Sequence, residues 1–135
     1  MENRIRVLVV DDEEVVRLGY RRVLSSDGFR VIAAGNGPEA LELMTGGDHF
    51  DVVLLDLRMP GMDGMEVLRT IKKQWPESEV VVVTGHASID TAKEAVKLGA
   101  YDYLAKPVVP EAVIRATTGA WTQKHWTIQR ALVTV

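Results

Sequence analysis

The stretch Asp51-Val52-Val53-Leu54-Leu55-Asp56-Leu57-Arg58-Met59-Pro60-Gly61-Met62-Asp63-Gly64 decides the fold. Four apolar residues stand together between two aspartates, with no polar residue alternating among them. A strand with one wet face alternates, whereas a strand covered on both faces reads as an unbroken apolar run, which is the mark of a parallel sheet. Pro60-Gly61 is turn chemistry, and Gly64–Trp75 then places Val67, Leu68 and Ile71 on one helical face before Pro76 breaks the pattern. Working outward, Ile5–Val10 and Glu79–Thr84 carry the same kind of run, and Arg30–Ala33 and Tyr101–Leu104 are shorter β-rich segments. Between them lie helical segments. Glu13–Ser26 carries Val16, Tyr20, Val23 and Leu24 at i, i+4, i+7 and i+8, with Gly28 as its stop. Gly19 inside it costs ~1 kcal/mol against alanine and reads as a point of close helix–sheet packing. Glu39–Thr45 follows Pro38 and ends at Gly46-Gly47, Ser88–Leu98 runs to Gly99, and Pro110 opens a last helix. Strands beginning near 5, 30, 51, 79 and 101 alternate with helices, so right-handed crossovers build an α/β doubly wound five-stranded parallel sheet with helices on both faces.

Composition narrows the function classes. The 135 residues are 47% apolar and 26% charged, one ordinary domain that buries a core without covalent staples. There is no cysteine, which excludes disulfides and thiolate metal sites. A net charge of −3 argues against nucleic acid as this segment's direct partner. The start goes straight into the first strand without a signal peptide's shape, and no apolar run approaches the ~20 residues that span a bilayer, so the expected setting is the cytoplasm.

In open α/β sheets, function collects beyond the carboxyl ends of the strands. Those ends carry Asp11 and Asp12 after strand 1, Asp56 after strand 3, Thr84 closing strand 4, and Lys106-Pro107 after strand 5. Each has an ordinary explanation taken singly: a helix cap for Asp11 or Asp12, a turn for Asp56, a good strand former in Thr84, a solvated loop lysine in Lys106. Together they bring three acids to one crevice, and these repel unless something positive sits among them. A hard divalent cation such as Mg2+, which takes carboxylate oxygens, meets that need. Lys106 supplies a second positive charge, and a carboxylate is a known phosphoryl-accepting nucleophile.

At these residues the sequence resembles the receiver domain of two-component response regulators. The matching pieces are Asp11-Asp12, the run from Asp56 to Gly64, Thr84-Gly85-His86-Ala87, and Gly99 to Pro107, in this order and spacing, within about residues 4–116. The last three pieces look most like receivers attached to activators of alternative-sigma-factor transcription. The resemblance implies strand order 2-1-3-4-5, a receiver over 1–118, and an extension of the last helix or a linker over 119–135. It implies that Asp56 accepts a phosphoryl group from a histidine kinase, and that Asp11, Asp12, Asp56 and the backbone carbonyl of Arg58 hold Mg2+. It further implies that Lys106 contacts the phosphoryl oxygen across a cis Lys106-Pro107 bond. Thr84 and Tyr103 then switch the surface of helix 4, strand 5 and helix 5 to control an output domain or partner protein, with Tyr103 mobile or outward before phosphorylation. Arg58 and His86 occupy positions that flank the reaction site and vary among members. His86 alone reads as an exposed polar residue, and Met59, Met62 and Met65 as loop and core packing.

Two other functions are weighed against this one. A hydrolase passing through an aspartyl-phosphate wants a second aspartate two residues after the nucleophile, where Arg58 stands. A nucleotide- or flavin-binding module wants a glycine-rich phosphate cradle, and neither G-x-G-x-x-G after strand 1 nor G-x-x-x-x-G-K-[ST] occurs. Beyond Pro110, the positions Val113, Ile114, Trp121, Ile128 and Leu132 share one broad helical stripe, weakened at Thr117-Thr118-Gly119. It reads either as a frayed terminus or as a helix leaving the domain to pair with a second chain, with Trp121 and Trp126 favouring a buried contact and a homodimer.

Overall fold

The computed structural model describes residues 4–47 and 49–134, with side chains to residue 124. Five strands, β1 (Arg6–Val10), β2 (Arg30–Ala34), β3 (Val52–Leu55), β4 (Glu79–Thr84) and β5 (Asp102–Ala105), alternate with α1 (Glu14–Ser26), α2 (Gly37–Thr45), α3 (Gly64–Gln74), α4 (Ile89–Lys97) and α5 (Pro110–Thr134). The sheet is parallel throughout in the order β2-β1-β3-β4-β5. Both faces are covered, as the apolar runs require. Leu8, Val10, Val53, Leu55, Val80 and Val82 face α2, α3 and α4, where Met44, Leu68, Ile71 and Ala95 close the core. Their neighbours Val7, Val9, Val52, Leu54, Val81 and Val83 face α1 and α5 and meet Leu24, Val113, Ala116 and Ala120. A one-residue slip of any central strand would exchange these two sets, so packing fixes the register. Met65 is buried and Met59 and Met62 pack against the first core, the packing role expected of them.

Helix ends follow the punctuation. Asn36, Asp63 and Ser88 cap α2, α3 and α4 through side-chain oxygens, and Gly28 and Gly99 take φ of 92° and 102° where the chain turns out of α1 and α4. Two expectations need correction. Strand 5 lies one residue later than expected at both ends: Tyr101 leads into it, its amide donating to the Val80 carbonyl at 2.7 Å, and the paired residues are Asp102–Ala105. Gly19 is not a close-packing point: a Cβ there would meet nothing within 4 Å. It lines an open apolar groove with Val16, Tyr20, Val23, Pro107 and Val113.

The weak stretch of the last helix does not break it; α5 runs to Thr134 as one element. Buried Thr117 donates its hydroxyl to the Val113 carbonyl at 2.7 Å. The side-chain space missing at Gly119 is taken by Tyr101, whose hydroxyl oxygen lies 2.7 Å from where a Cβ would stand. Val113, Ile114 and Trp121, the first part of the predicted dimer stripe, instead pack on this chain's own core. Trp126, Ile128 and Leu132 lie outside the residues whose side chains are described. No helix among the described residues is long and apolar enough to cross a membrane.

Candidate functional site

Because every strand points the same way, the carboxyl ends of β1, β3, β4 and β5 share one rim, and the predicted residues meet there. Asp11 and Asp56 directly follow β1 and β3 and are 1% and 6% exposed, held by their amides to the carbonyls of Ala34 and Val10. Asp12 is exposed beside them. The three carboxylates can each present one oxygen with all of these within 4.8 Å of one another. Lys106 crosses from the end of β5, donating to Asp11 Oδ2 at 2.7 Å and to Asp56 Oδ2 at 3.1 Å. Its backbone is fixed by an amide bond to the Thr84 carbonyl at 2.8 Å, and the Lys106-Pro107 peptide is cis, as expected.

Small hydrogen bonds set the aim of each carboxylate. The Glu13 amide donates to Asp11 Oδ1 at 3.0 Å, and the Arg58 amide to Asp56 Oδ1 at 3.2 Å. Thr84 is buried, and its hydroxyl oxygen accepts the His86 amide at 3.1 Å, which folds the β4–α4 loop over the rim. The imidazole of His86 and the guanidinium of Arg58 stand exposed on either side. Asp12, Asp56, Arg58, His86 and Lys106 line a cavity of about 310 Å3 completed by Glu13 and Gly85. Four carboxylates (Asp11, Asp12, Glu13 and Asp56) against the Lys106 ammonium and the Arg58 guanidinium leave the rim net negative. An all-oxygen set of this kind fits a hard divalent cation.

Electrostatics bear on two residues. Burial pulls the Lys106 ammonium down, but hydrogen bonds and charges from Asp11 and Asp56 overcome it, so its pKa is pushed up to about 12. Tyr20 on α1 is likewise raised to about 12, first by burial; the Lys106 charge opposes this while Asp11 and Asp56 add to it. Tyr20 reads in the sequence only as a core position of α1. Its nearness to the rim depends on how α1 is rotated against the β5–α5 loop, which spacing does not reveal. Spacing does not reveal Arg17 for the same reason: its Nη1 donates to the Asp11 carbonyl at 2.8 Å.

Tyr103 departs from expectation. The ring is half-buried against the α2–α4 core, not turned outward, and its hydroxyl lies 2.6 Å from Thr91 Oγ1 while accepting the Ser88 amide at 3.3 Å. It is thereby tied to the capping box that starts α4.

Comparison with known proteins agrees with this geometry. Residues 7–118 match the family model described as the response regulator receiver domain. The DNA-binding transcriptional regulator NtrC of Escherichia coli (strain K12) is 42% identical over 108 residues, 79% of this chain and 23% of that protein. The alginate biosynthesis transcriptional regulatory protein AlgB of Pseudomonas syringae pv. tomato is 40% identical over 116 residues, 86% of this chain and 26% of that protein. The chain thus spans about a quarter of the length of these relatives, which are regulators of transcription, as the sequence suggested. Among solved structures, a response regulator receiver domain protein from Clostridium thermocellum superposes with a TM-score of 0.85 at 36% identity, covering 90% of this chain and 98% of that one. NtrX from Brucella abortus does so with a TM-score of 0.90 at 32% identity, over 97% of this chain and 30% of that one. With the fold, the rim and the sequence match in accord, the chain belongs to the response regulator receiver domain family.

Proposed function

We propose that Asp56 is the phosphoacceptor of this receiver, taking its phosphoryl group from a histidine kinase. The observation that carries the reading is the Lys106 ammonium bridging Asp11 and Asp56 while Asp56 opens into the rim cavity. An oxygen of the Asp56 carboxylate attacks phosphorus; the new O–P bond forms as the P–N bond to the kinase's imidazole breaks, and the leaving nitrogen keeps the electron pair. Asp11, Asp12, Asp56 and the Arg58 carbonyl would hold Mg2+, which when bound offsets the negative charge of acids and phosphoryl oxygens. Lys106 exchanges part of its pairing with Asp56 for a phosphoryl oxygen, and the Thr84 hydroxyl, now bonded to the His86 amide, turns toward another. Arg58 and His86 flank the entrance and tune how readily water follows.

The module is a signalling switch and not a metabolic enzyme: it acts on its own aspartate and turns over no diffusible substrate. Its output runs through α4, β5 and α5, with Tyr103 linking the rim loop to the start of α4, and reaches an output domain or partner protein in the cytoplasm. The later turns of α5 would provide pairing with a second copy. Acetyl phosphate with Mg2+ tests the chemistry by intact mass. Modification is expected in the wild type and absent in Asp56→Ala; a mass shift that survives in Asp56→Ala, or is undiminished in EDTA, overturns the assignment.

A further inference from the structure

The opposite end of the sheet carries a second charged cluster that the phosphoacceptor chemistry does not use. Lys124, fourteen residues into α5, places Nζ 2.7 Å from Asp51 Oδ1 and 2.8 Å from His49 Nε2. An ammonium only donates, so His49 accepts through Nε2. The pair is secluded, with side chains 10% exposed for Lys124 and 14% for Asp51, unlike the solvent-screened ion pair of Arg69 and Glu66 at 52% and 53%. Asp51 is itself fixed to the centre of the sheet. Its amide donates to the Arg6 carbonyl at 2.8 Å, its carbonyl accepts the Glu79 amide at 3.1 Å, and its Oδ2 accepts the Arg6 amide at 2.9 Å. Asp51 therefore locks β1, β3 and β4 together just where Lys124 lands. About one turn earlier, fully buried Ala120 and partly buried Trp121 pack α5 on the core of that sheet face.

We propose that Lys124, Asp51 and His49 form a mount that fixes the direction in which α5 leaves the domain, whatever the state of Asp56. The sheet's geometry carries this. Asp51 and Asp56 stand at opposite ends of β3, whose four residues are all buried, so the anchor sits on a central, fully buried strand and at the far end from the proposed phosphoryl site. The part of α5 between residue 118 and Lys124 is then held in one direction, and the α4–β5–α5 output surface changes without swinging that end of α5.

Amide hydrogen exchange on the full chain tests the mount, and its variant arm does not depend on the phosphoacceptor reading. In the wild type, amides of residues 119–124 are expected to be protected like those of residues 113–117, with less than a twofold change on adding beryllofluoride and Mg2+. Lys124→Met keeps the aliphatic stem and removes the charge; it should cost tenfold or more in protection at 119–124 while leaving 113–117 and the central strands intact. Lys124→Arg should restore most of it, and Asp51→Asn, which still offers an acceptor to Arg6, should behave like Lys124→Met. Equal protection in Lys124→Met and wild type, or no rescue by arginine, overturns the mount. If shifts at Arg58 report beryllofluoride binding and protection at 119–124 nonetheless changes, the fixed direction is wrong. If no binding is seen at Arg58, it is the phosphoacceptor reading that fails, and the variant comparison still decides the mount.

Discussion

Gly19 and Gly64 both lie in helices, yet alanine at the two positions should move stability in opposite directions. A Cβ on Gly64 would stand 2.4 Å from Leu57 Cα, 2.6 Å from its oxygen and 2.8 Å from its carbonyl carbon. Ordinary contact begins near 3.4 Å, so the loop after Asp56 must retreat by about 1 Å (3.4 − 2.4), straining the 3.2 Å bond from the Gly64 amide to the Leu57 oxygen. Backbone cannot swing aside as a side chain does, and overpacking of this kind costs about 1–3 kcal/mol. Helix propensity returns up to ~1 kcal/mol, less at the first position of a helix. Gly64→Ala should therefore lose about 1–2 kcal/mol, a Tm lower by about 3–10 °C for a domain of this size. At Gly19 nothing lies within 4 Å of the added carbon. There alanine contributes only its propensity, about 0.5–1 kcal/mol, and Tm should rise by about 2–5 °C. Thermal and urea unfolding with unchanged m-values measure both. Because Leu57 adjoins Asp56, Gly64→Ala should also slow modification by acetyl phosphate, whereas Gly19→Ala should not. A Gly64→Ala protein as stable as wild type, or a destabilised Gly19→Ala, would refute the steric reasoning.

Three further outcomes follow from particular contacts. Lys106 and Tyr20, both raised to about 12 from 10.5 and 10.0, keep their protons in the folded chain after the unfolded chain has released them, so stability is fully present below about pH 10 and falls as pH rises through 12. Tyr20→Phe should flatten part of that fall, and an ultraviolet titration placing Tyr20 near an ordinary tyrosine would contradict it. Tyr103→Phe removes the hydroxyl contacts to Thr91 and Ser88 and should cost about 0.5–1.5 kcal/mol, with faster amide exchange in the first turn of α4; unchanged exchange there would show that ring packing alone holds the helix start. Pairing through the later turns of α5 requires the full chain to sediment as a dimer and a chain ended after Lys124, which keeps Ala120, Trp121 and the Asp51 pair, as a monomer; a full chain that is monomeric at high concentration, with and without beryllofluoride, would rule out pairing.

The sheet was legible because its strands are short and covered on both faces, which forces apolar runs such as Val52–Leu55 that no amphipathic helix produces. The rim was legible because strand polarity alone carries Asp11, Asp56, Thr84 and Lys106 to the same side. What failed to show was any contact set by the rotation of a helix about its own axis. The spacing of α1 marks Gly19 as interior to a helix but does not say whether it faces the sheet or a groove, and it faces the groove. The Thr117-Thr118-Gly119 stretch reads as a weak point because propensity sees only the helix; Tyr101, eighteen residues before Gly119, fills the notch. The partners of Tyr103 were hidden likewise, since Thr91 and Ser88 belong to a different element.

Asp51 and Asp56 show how far a local reading reaches. Each is an aspartate bordering the same four-residue run, and neither propensity nor composition separates them. Strand direction does. Asp56 follows the run, so it stands at the carboxyl end, where parallel strands leave a crevice and Lys106 meets it from β5. Asp51 precedes the run, so it stands at the amino end, where neighbouring strands close over it through Arg6 and Glu79 and a lysine 73 residues later supplies its charge partner. Chemically identical carboxylates thus receive different surroundings from the polarity of one strand: an open, lysine-bridged cavity at one end, and a closed, hydrogen-bonded contact at the other. Exchanging those roles by mutation would require reversing β3 itself, because neither end offers the surroundings the other needs.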